Sequence, residues 1–431
     1  MQLRVGSRAP FTTRHAPVVA ARPAAVRCQA LKPGKEEGQG PDLLQRCALG
    51  LLAAATAVMP LTIFEAPAYA KLTAGDPIKN ASAILRNALP VDNKPIRTAQ
   101  RSLEAITEEL RVPGAKSLGP ISRSVRAAQA AVTSGRASIV SAFAPAKKAE
   151  GEAALARLEA SLTEFMALIE AKDKQLVPIK QRECLEYVGQ VEEAMVTGLT
   201  FDVPAEWANR PLLKGRATLE MQVNIRETPE GPQSPVLTIV LDGYNAPVSA
   251  GQFLELVQMG FYDGMDVQRA DGFVVQTGDP DGPATGYVDP ATNKLRIVPL
   301  EIKVAGDKAP IYEDSLEDLG RFNETPVLPF NAYGTLAWAR AEFDNNSASS
   351  QVFFLLKESE LTPTGANLLD GRYAVFGYVT ANQDSLGTMK VGDKIKYIKC
   401  VKGCDLLANA GGKKAAPAPA PAAEEAAAPD N

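Results

Sequence analysis

Histidine is almost absent from this 431-residue sequence, since the only one is His15. That residue lies in a segment that we predict to be removed, which would leave the mature chain with none. Catalytic triads and dyads that use histidine, histidine-ligated zinc and imidazole general bases are therefore excluded. Any catalysis must depend on arginine, lysine, carboxylates, amides or the shape of a pocket.

Cysteine is also scarce, with five residues and no C-x-x-C pair. Cys28 and Cys47 fall in the segment predicted to be removed, and Cys184 stands alone in a helical pattern, which is typical of a small buried residue. Cys400 and Cys404 are four residues apart, so the sequence fits either a local disulfide or two free thiols. None of these spacings is that of a zinc site, and we predict no metal and no cofactor.

The sequence has no excess of positive charge outside its N-terminus. The net charge is -4, and residues 1–70 hold eight basic against four acidic residues. The remaining 361 residues therefore hold 38 basic against 46 acidic, a net charge of -8. A mildly acidic mature chain lacks the electrostatic footprint of nucleic-acid binding, and we exclude nucleic acid as a partner.

Two successive targeting signals are predicted at the N-terminus. Residues 1–35 hold seven basic residues and no acidic one, which is typical of a chloroplast transit peptide. Within residues 36–70, Arg46 precedes an apolar run, and the small-x-small sequence ending at Ala70 predicts cleavage there. The run is long enough to suggest a membrane span, but Pro60 and the cleavage site favour a removed signal and a mature chain without a transmembrane segment. Together the two signals predict delivery to the thylakoid lumen.

Residues 71–205 have the period of helices. The clearest stripe steps by three or four residues and comprises Leu155, Leu158, Leu162, Phe165 and Ile169. Proline and glycine separate this stripe from other apolar segments, which predicts four or five helices in an antiparallel bundle. A leucine zipper for dimerisation is the alternative, but about two heptads is short for a coiled coil.

Residues 206–405 change to the period of strands. Alternate apolar residues from Ala217 to Ile225 predict a half-buried strand, with 236–241 as its antiparallel partner and a helix from Pro247. Further short β-rich segments predict a closed or nearly closed β-barrel: Phe273–Gln276, Gly334–Arg340, Val352–Leu356 and Ala374–Val379. The predicted fold class is thus multidomain α + β, with a helical bundle before an antiparallel barrel. Residues 406–431 are rich in Ala and Pro and are expected to form a disordered tail.

Several motifs in the barrel segment resemble the signature of the cyclophilin-type peptidyl-prolyl cis-trans isomerases. These are F-Y-D-G at 261–264, then Arg269, then F-V-V-Q-T-G-D at 273–279. The S-Q-x-F element at 350–353 and the L-D-G-R segment at 369–372, followed by V-F-G, continue the resemblance in the same order. Several elements in the right order make a more specific match than any one short motif.

The resemblance implies a reaction that a histidine-free chain can perform. Rotation about an X–Pro bond has a barrier of about 18–20 kcal/mol, and no bond is broken, so neither nucleophile nor metal is needed. By resemblance Arg269 donates to the prolyl amide in the transition state, and Gln276 orients that arginine. The implied substrate-binding residues are Phe273, Val274, Ala339, Arg340, Gln351, Phe353, Leu368, Leu369 and Tyr373.

Some residues depart from the family pattern. Gln268 and Tyr373 stand where histidine is usual, and Arg340 stands in place of asparagine. Leu368 replaces a tryptophan that helps many members bind cyclosporin, so drug binding is expected to be weak. The segment 280–330 is also longer than usual. These changes fit either slow catalysis or peptide binding without turnover.

The lumenal address, the helical region and the divergent barrel together resemble the large thylakoid-lumen cyclophilins of plants and green algae. That resemblance implies clients that contain X–Pro bonds, in particular lumenal loops of photosystem II core subunits. It also implies a role in the assembly, maintenance or repair of that photosystem. An assembly chaperone of cyclophilin fold that barely isomerises its clients, regulated by the helical region, is the alternative.

Overall fold

The structure is a computed structural model that describes residues 77–111, 118–358 and 367–411. The predicted targeting signals and most of the predicted tail lie outside these residues. Among the described residues, no helix has both the length and the apolar character that a membrane span requires.

Within the described residues, four long helices form a bundle and two shorter helices pack elsewhere. The helices are α1 (Ala81–Ala88), α2 (Lys94–Arg111), α3 (Gly119–Ser141), α4 (Lys148–Glu170), α5 (Val177–Met195) and α6 (Pro247–Gln258). Helices α2 to α5 run antiparallel, since Asn93, just before α2, bonds Ser138 near the end of α3. Arg136 of α3 pairs with Glu159 of α4, and Ser161 of α4 contacts Cys184 of α5.

The predicted leucine-rich stripe lies in the core of this bundle. Its five residues are buried together with Ile96 and Leu103 of α2 and Val188 of α5. The bundle prediction is confirmed, because neighbouring helices of the same chain cover the stripe. Helix α1 behaves differently, since Ile84 and Leu85 join the core of the barrel.

Within the described residues, the barrel is an eight-stranded antiparallel sheet with six two-residue strands around it. The strands are β1 (Leu212–Leu213), β2 (Arg216–Asn224), β3 (Val236–Asp242), β4 (Val267–Ala270), β5 (Val274–Thr277), β6 (Val288–Asp289), β7 (Lys294–Leu295), β8 (Glu301–Ile302), β9 (Ile311–Tyr312), β10 (Thr335–Trp338), β11 (Val352–Leu355), β12 (Val375–Ala381), β13 (Lys394–Lys402) and β14 (Leu407–Ala408). The order in the large sheet is β13-β2-β3-β12-β10-β11-β5-β4. An antiparallel bridge between Asp266 and Lys394 joins its two edges, and the N–H of Gly264 donates to the carbonyl of Ile395 at 2.7 Å. The predicted closed or nearly closed barrel is therefore confirmed, with α6 packed against it.

The C-terminal part of the barrel is ordered further than the predicted tail boundary. A disulfide joins Cys400 of β13 to Cys404, which decides between the two alternatives left by the sequence. Strand β14 then pairs with β1. The expectation of disorder from residue 406 is wrong for residues 406–408, because this pairing and the nearby disulfide hold the segment.

Candidate functional site

A groove of about 670 Å³ opens on the face of the barrel formed by β4, β5 and β11. Ten of the eleven predicted site residues line it: Arg269, Phe273, Val274, Gln276, Ala339, Arg340, Gln351, Phe353, Leu369 and Tyr373. Leu368 is 88% exposed and is not part of the lining. The resemblance to the family motifs therefore selected residues that the fold gathers into one concavity.

The floor of the groove is apolar and aromatic. Phe353 on β11 is 6% exposed and is stacked on Phe330, with ring centroids 5.9 Å apart. Tyr373 packs edge-on against the ring of Phe353, with ring centroids 5.6 Å apart. Val274 is buried beside them, whereas Phe273 is exposed at the rim. A shallow apolar surface of this kind suits a proline ring.

Arg269 is the cation at this floor, and it is held by a neighbouring carboxylate. Its Nε lies 2.7 Å and its Nη2 2.5 Å from Oδ2 of Asp271. The other oxygen of Asp271 accepts from the backbone N–H groups of Phe273 and Val274, each at 2.9 Å. The bond from Val274, then that from Phe273, and the charge of Arg269 lower the pKa of Asp271 to about 2. Asp271 is therefore ionised at any physiological pH and is paired with the guanidinium.

Gln276 does not make the contact that the resemblance implied. It lies opposite Arg269 in the register of β4 and β5, but its amide donates to Oε1 of Gln351 at 2.8 Å. Gln351 in turn donates to Asp279 Oδ1 and to the carbonyl of Thr285, both at 3.0 Å. In this arrangement both glutamines connect β5 and β11 to the segment after β5, and the guanidinium of Arg269 bonds Asp271 and not an amide.

Arg340 acts as a brace at the other side of the groove. Its guanidinium lies over the ring of Tyr373, 4.8 Å from the centroid. The Nε donates to the carbonyl of Arg372 at 2.9 Å, and Nη1 donates to the carbonyl of Glu342 at 3.0 Å. The residue that departs from the family pattern thus fixes the loop 339–347 against the chain after Leu369.

One wall of the groove comes from the long segment 280–330 and was not predicted. Leu295 and Ile297 line the groove, while Arg296 between them points the other way. Arg296 Nη2 lies 2.6 Å from Oε2 of Glu255 on α6, and its guanidinium lies 4.5 Å from the centroid of Tyr287. The alternation of apolar and charged residues at 295–297 was the available signal, but it is too short to distinguish from a turn.

The described residues of the helical region do not reach the groove. All lining residues come from the range 269–373, so no described residue of α1 to α5 takes part. Nor do the described residues hold a cluster of carboxylates, thiols and imidazoles suited to a metal ion. Cys184 is buried in the bundle, and burial raises the pKa of its thiol to about 11, so it is a poor nucleophile.

Comparison with protein families matches each region to a different model. Residues 80–196 match the PsbQ-like domain of isomerases described as peptidyl-prolyl cis-trans isomerase CYP38-like. Residues 227–402 match the cyclophilin type peptidyl-prolyl cis-trans isomerase model. The first match covers the bundle together with α1, and the second covers most of the barrel and the whole groove.

Three curated relatives extend across both regions. A chloroplastic peptidyl-prolyl cis-trans isomerase, CYP38 of Arabidopsis thaliana, is 52% identical over 80% of this chain and 78% of its own length. A protein of Synechocystis named as a thylakoid lumen peptidyl-prolyl cis-trans isomerase is 45% identical over 78% of this chain and 86% of its own. The chloroplastic CYP37 of Arabidopsis thaliana is 31% identical over 75% and 69%, respectively. With matches of this identity and coverage, the chain belongs to the cyclophilin-type peptidyl-prolyl cis-trans isomerase family.

Proposed function

We propose that this protein is a peptidyl-prolyl cis-trans isomerase of the thylakoid lumen. The observation that carries the proposal is the guanidinium of Arg269 beside an apolar floor formed around Phe353. The predicted two-part address and the names of two relatives, one chloroplastic and one of the thylakoid lumen, support the compartment.

The proposed mechanism needs no proton transfer. The proline ring packs on Phe353 and Val274, which fixes one side of the X–Pro bond. As the bond twists, the prolyl nitrogen loses its conjugation and becomes a better acceptor, and Arg269 donates to it. Because arginine does not titrate and Asp271 has a pKa of about 2, the rate should be independent of pH from weakly acidic to neutral solution.

The test is the rate of cis–trans exchange of an X–Pro peptide, measured by exchange spectroscopy with the full mature chain. We expect catalysed exchange with the wild type and a loss of about a hundredfold or more in Arg269→Ala. Arg136→Ala is the matched control, because Arg136 is 52% exposed and paired with Glu159, much as Arg269 is 53% exposed and paired with Asp271. Equal rates in wild type and Arg269→Ala would refute the enzymatic role.

Peptide binding without turnover is the second candidate. Its support is the Arg269–Asp271 ion pair, since a substrate has to compete with Asp271 for the same N–H groups. In that case the groove binds X–Pro peptides with a measurable dissociation constant, while exchange stays at its uncatalysed rate. Calorimetry on the peptide used for exchange separates the two candidates.

We further propose that the clients are lumenal loops of photosystem II core subunits. The support is the predicted compartment and the resemblance to the large lumenal cyclophilins. Crosslinking from a photoreactive group at Leu368, which is exposed beside the groove, would identify the clients directly. Recovery of stromal proteins in place of lumen-facing ones would contradict this proposal.

A further inference from the structure

Phe343 has the most exposed large apolar side chain in the described part of the chain, with 94% of its surface open to solvent. It lies in the loop 339–347 between Ala341 and Asp344, both near it in the chain and both part of the groove lining. An aromatic ring adds strongly to the free energy of binding when a partner buries it. It adds little to the stability of the fold when it is fully exposed. Phe343 is thus present at the rim of the groove without serving the barrel core.

The loop that carries Phe343 is held on its N-terminal side. Arg340 donates to the carbonyl of Glu342, directly before Phe343, at 3.0 Å. The N–H of Ala341 donates to Oγ of Ser347 at 2.9 Å, which closes the base of the loop. These bonds fix the direction in which the chain enters Phe343.

The C-terminal side of the loop is fixed to the long segment 280–330. Asn345 donates to Asp318 Oδ2 at 2.9 Å, and Oδ1 of Asn346 accepts from the N–H of Leu300 at 3.0 Å. The N–H of Asn346 also donates to Oδ1 of Asp344 at 2.9 Å. With both sides fixed, little conformational entropy is lost when a partner covers Phe343, which favours its use as a contact.

We propose that Phe343 is a specificity-determining contact that binds an apolar side chain of the client outside the X–Pro pair. The proposal rests on the proposed function in that the client is a proline-containing chain bound in the groove. Phe343 stands in sequence between the lining residues Ala341 and Asp344, so its exposed ring is available to a chain bound at that part of the groove. The neighbouring carboxylates of Glu342 and Asp344 disfavour an acidic client residue there, so aromatic or aliphatic residues with neutral or basic neighbours fit best.

The test compares two peptides with one central proline on the full mature chain. One carries phenylalanine at the positions beyond the X–Pro pair, and the other carries serine at the same positions. Phe343→Ser should weaken binding of the phenylalanine peptide by about tenfold and leave the serine peptide unchanged. Phe343→Tyr should restore most of the difference, because the ring is retained.

Phe322→Ser is the matched control and should leave the affinity for both peptides unchanged. Like Phe343, Phe322 is an exposed phenylalanine, with 66% of its surface open to solvent, but it and its neighbours in sequence are absent from the groove lining. Its neighbour Arg321 is bonded to Asp307 and Glu324, none of which lines the groove. Equal effects of Phe343→Ser on both peptides, or no effect on either, would overturn the proposal. So would a change in self-association or in vesicle binding with unchanged peptide affinity.

The dissociation constants are measured separately from exchange rates, so this test and that of the proposed function can fail independently. If the wild type binds the phenylalanine peptide through Phe343 but does not accelerate exchange, the proposed contact is supported and the proposed isomerase activity is refuted. If the wild type accelerates exchange equally for both peptides and binds them equally well, the isomerase activity is supported and the proposed contact of Phe343 is refuted.

Discussion

The helical bundle and the β-barrel of this chain use their side chains in different ways. In the bundle, the apolar stripe is buried and surface charges pair across neighbouring helices, as Lys180 does with Glu164. In the barrel, Arg269 and Phe343 stay exposed at a groove, and partly buried amides organise its wall. Packing thus explains most of the bundle sequence, whereas the barrel keeps residues that its fold does not need. That difference locates the chemistry in the barrel.

The junction between the two regions combines polar contacts with a buried cluster of Leu89, Val196 and Tyr244. The guanidinium of Arg216 on β2 donates to the carbonyl of Leu85 on α1 and pairs with the buried Asp242. Lys147, just before α4, lies 3.3 Å from the hydroxyl of Tyr244 in the barrel. These contacts lie outside the groove lining, so we expect changes in the bundle core to alter stability without altering the site.

The largest expected effect is that of Phe165→Ala in the bundle core. Truncation of this fully buried ring should lower the free energy of unfolding by about 3–5 kcal/mol, while peptide affinity under native conditions stays unchanged. Phe376→Ala, its counterpart in the barrel core, should lower both. Denaturant unfolding measures the stability of both variants, and calorimetry measures their peptide affinity. Loss of peptide binding in Phe165→Ala would contradict the conclusion that the bundle core affects stability without affecting the site.

A smaller effect is expected at Glu192, the buried carboxylate of α5. One of its oxygens lies 3.2 Å from Arg97, yet burial raises its pKa to about 7 despite the attraction of Arg97 and Arg86, with Glu104 adding to the rise. A raised carboxyl pKa means that the unfolded chain releases this proton first as pH rises. The free energy of unfolding should therefore fall between about pH 4.5 and 7, by a total on the order of 2–3 kcal/mol.

Glu192→Gln should remove that fall, because the amide does not titrate. Unfolding experiments at several pH values on both proteins measure the difference. A wild type whose stability instead rises through this range would show that Arg97 dominates and that the carboxylate is ionised in the folded state.

In the barrel, replacement of both Cys400 and Cys404 by serine should cost about 2 kcal/mol, since the bond closes a short loop. The loss should appear first at the pairing of β14 with β1, where the N–H of Lys214 bonds the carbonyl of Leu406 at 3.0 Å. Hydrogen exchange at Lys214 reports this directly. Unchanged exchange there would mean that the strand pairing is held without the disulfide.

The smallest effect is expected from Asp271→Asn at the groove. The ion pair is largely solvent-exposed, so stability should change by less than about 1 kcal/mol. Asparagine keeps an acceptor for the two backbone N–H groups but releases the guanidinium, and the affinity for an X–Pro peptide should rise by about two- to threefold. A fall in affinity would indicate that Asp271 holds Arg269 in its productive position.

Prediction from sequence succeeded where burial alone decides the pattern. The alternation from Ala217 to Ile225 and the leucine-rich stripe of α4 both follow directly from which residues avoid water. It also found most of the groove, because the motif residues lie on strands whose pairing brings them together. It failed for contacts between distant residues, such as Gln276 with Gln351 and Arg296 with Glu255, since side-chain direction depends on register and on neighbours that no local period reveals.

Hydrogen exchange with and without a saturating X–Pro peptide tests most directly whether the site belongs to the barrel alone. We predict protection confined to β4, β5, β11 and the loop 339–347, with α2 to α5 unchanged. Protection that appears in α2 to α5 while those strands stay unchanged would contradict the assignment of client binding to the groove at Arg269.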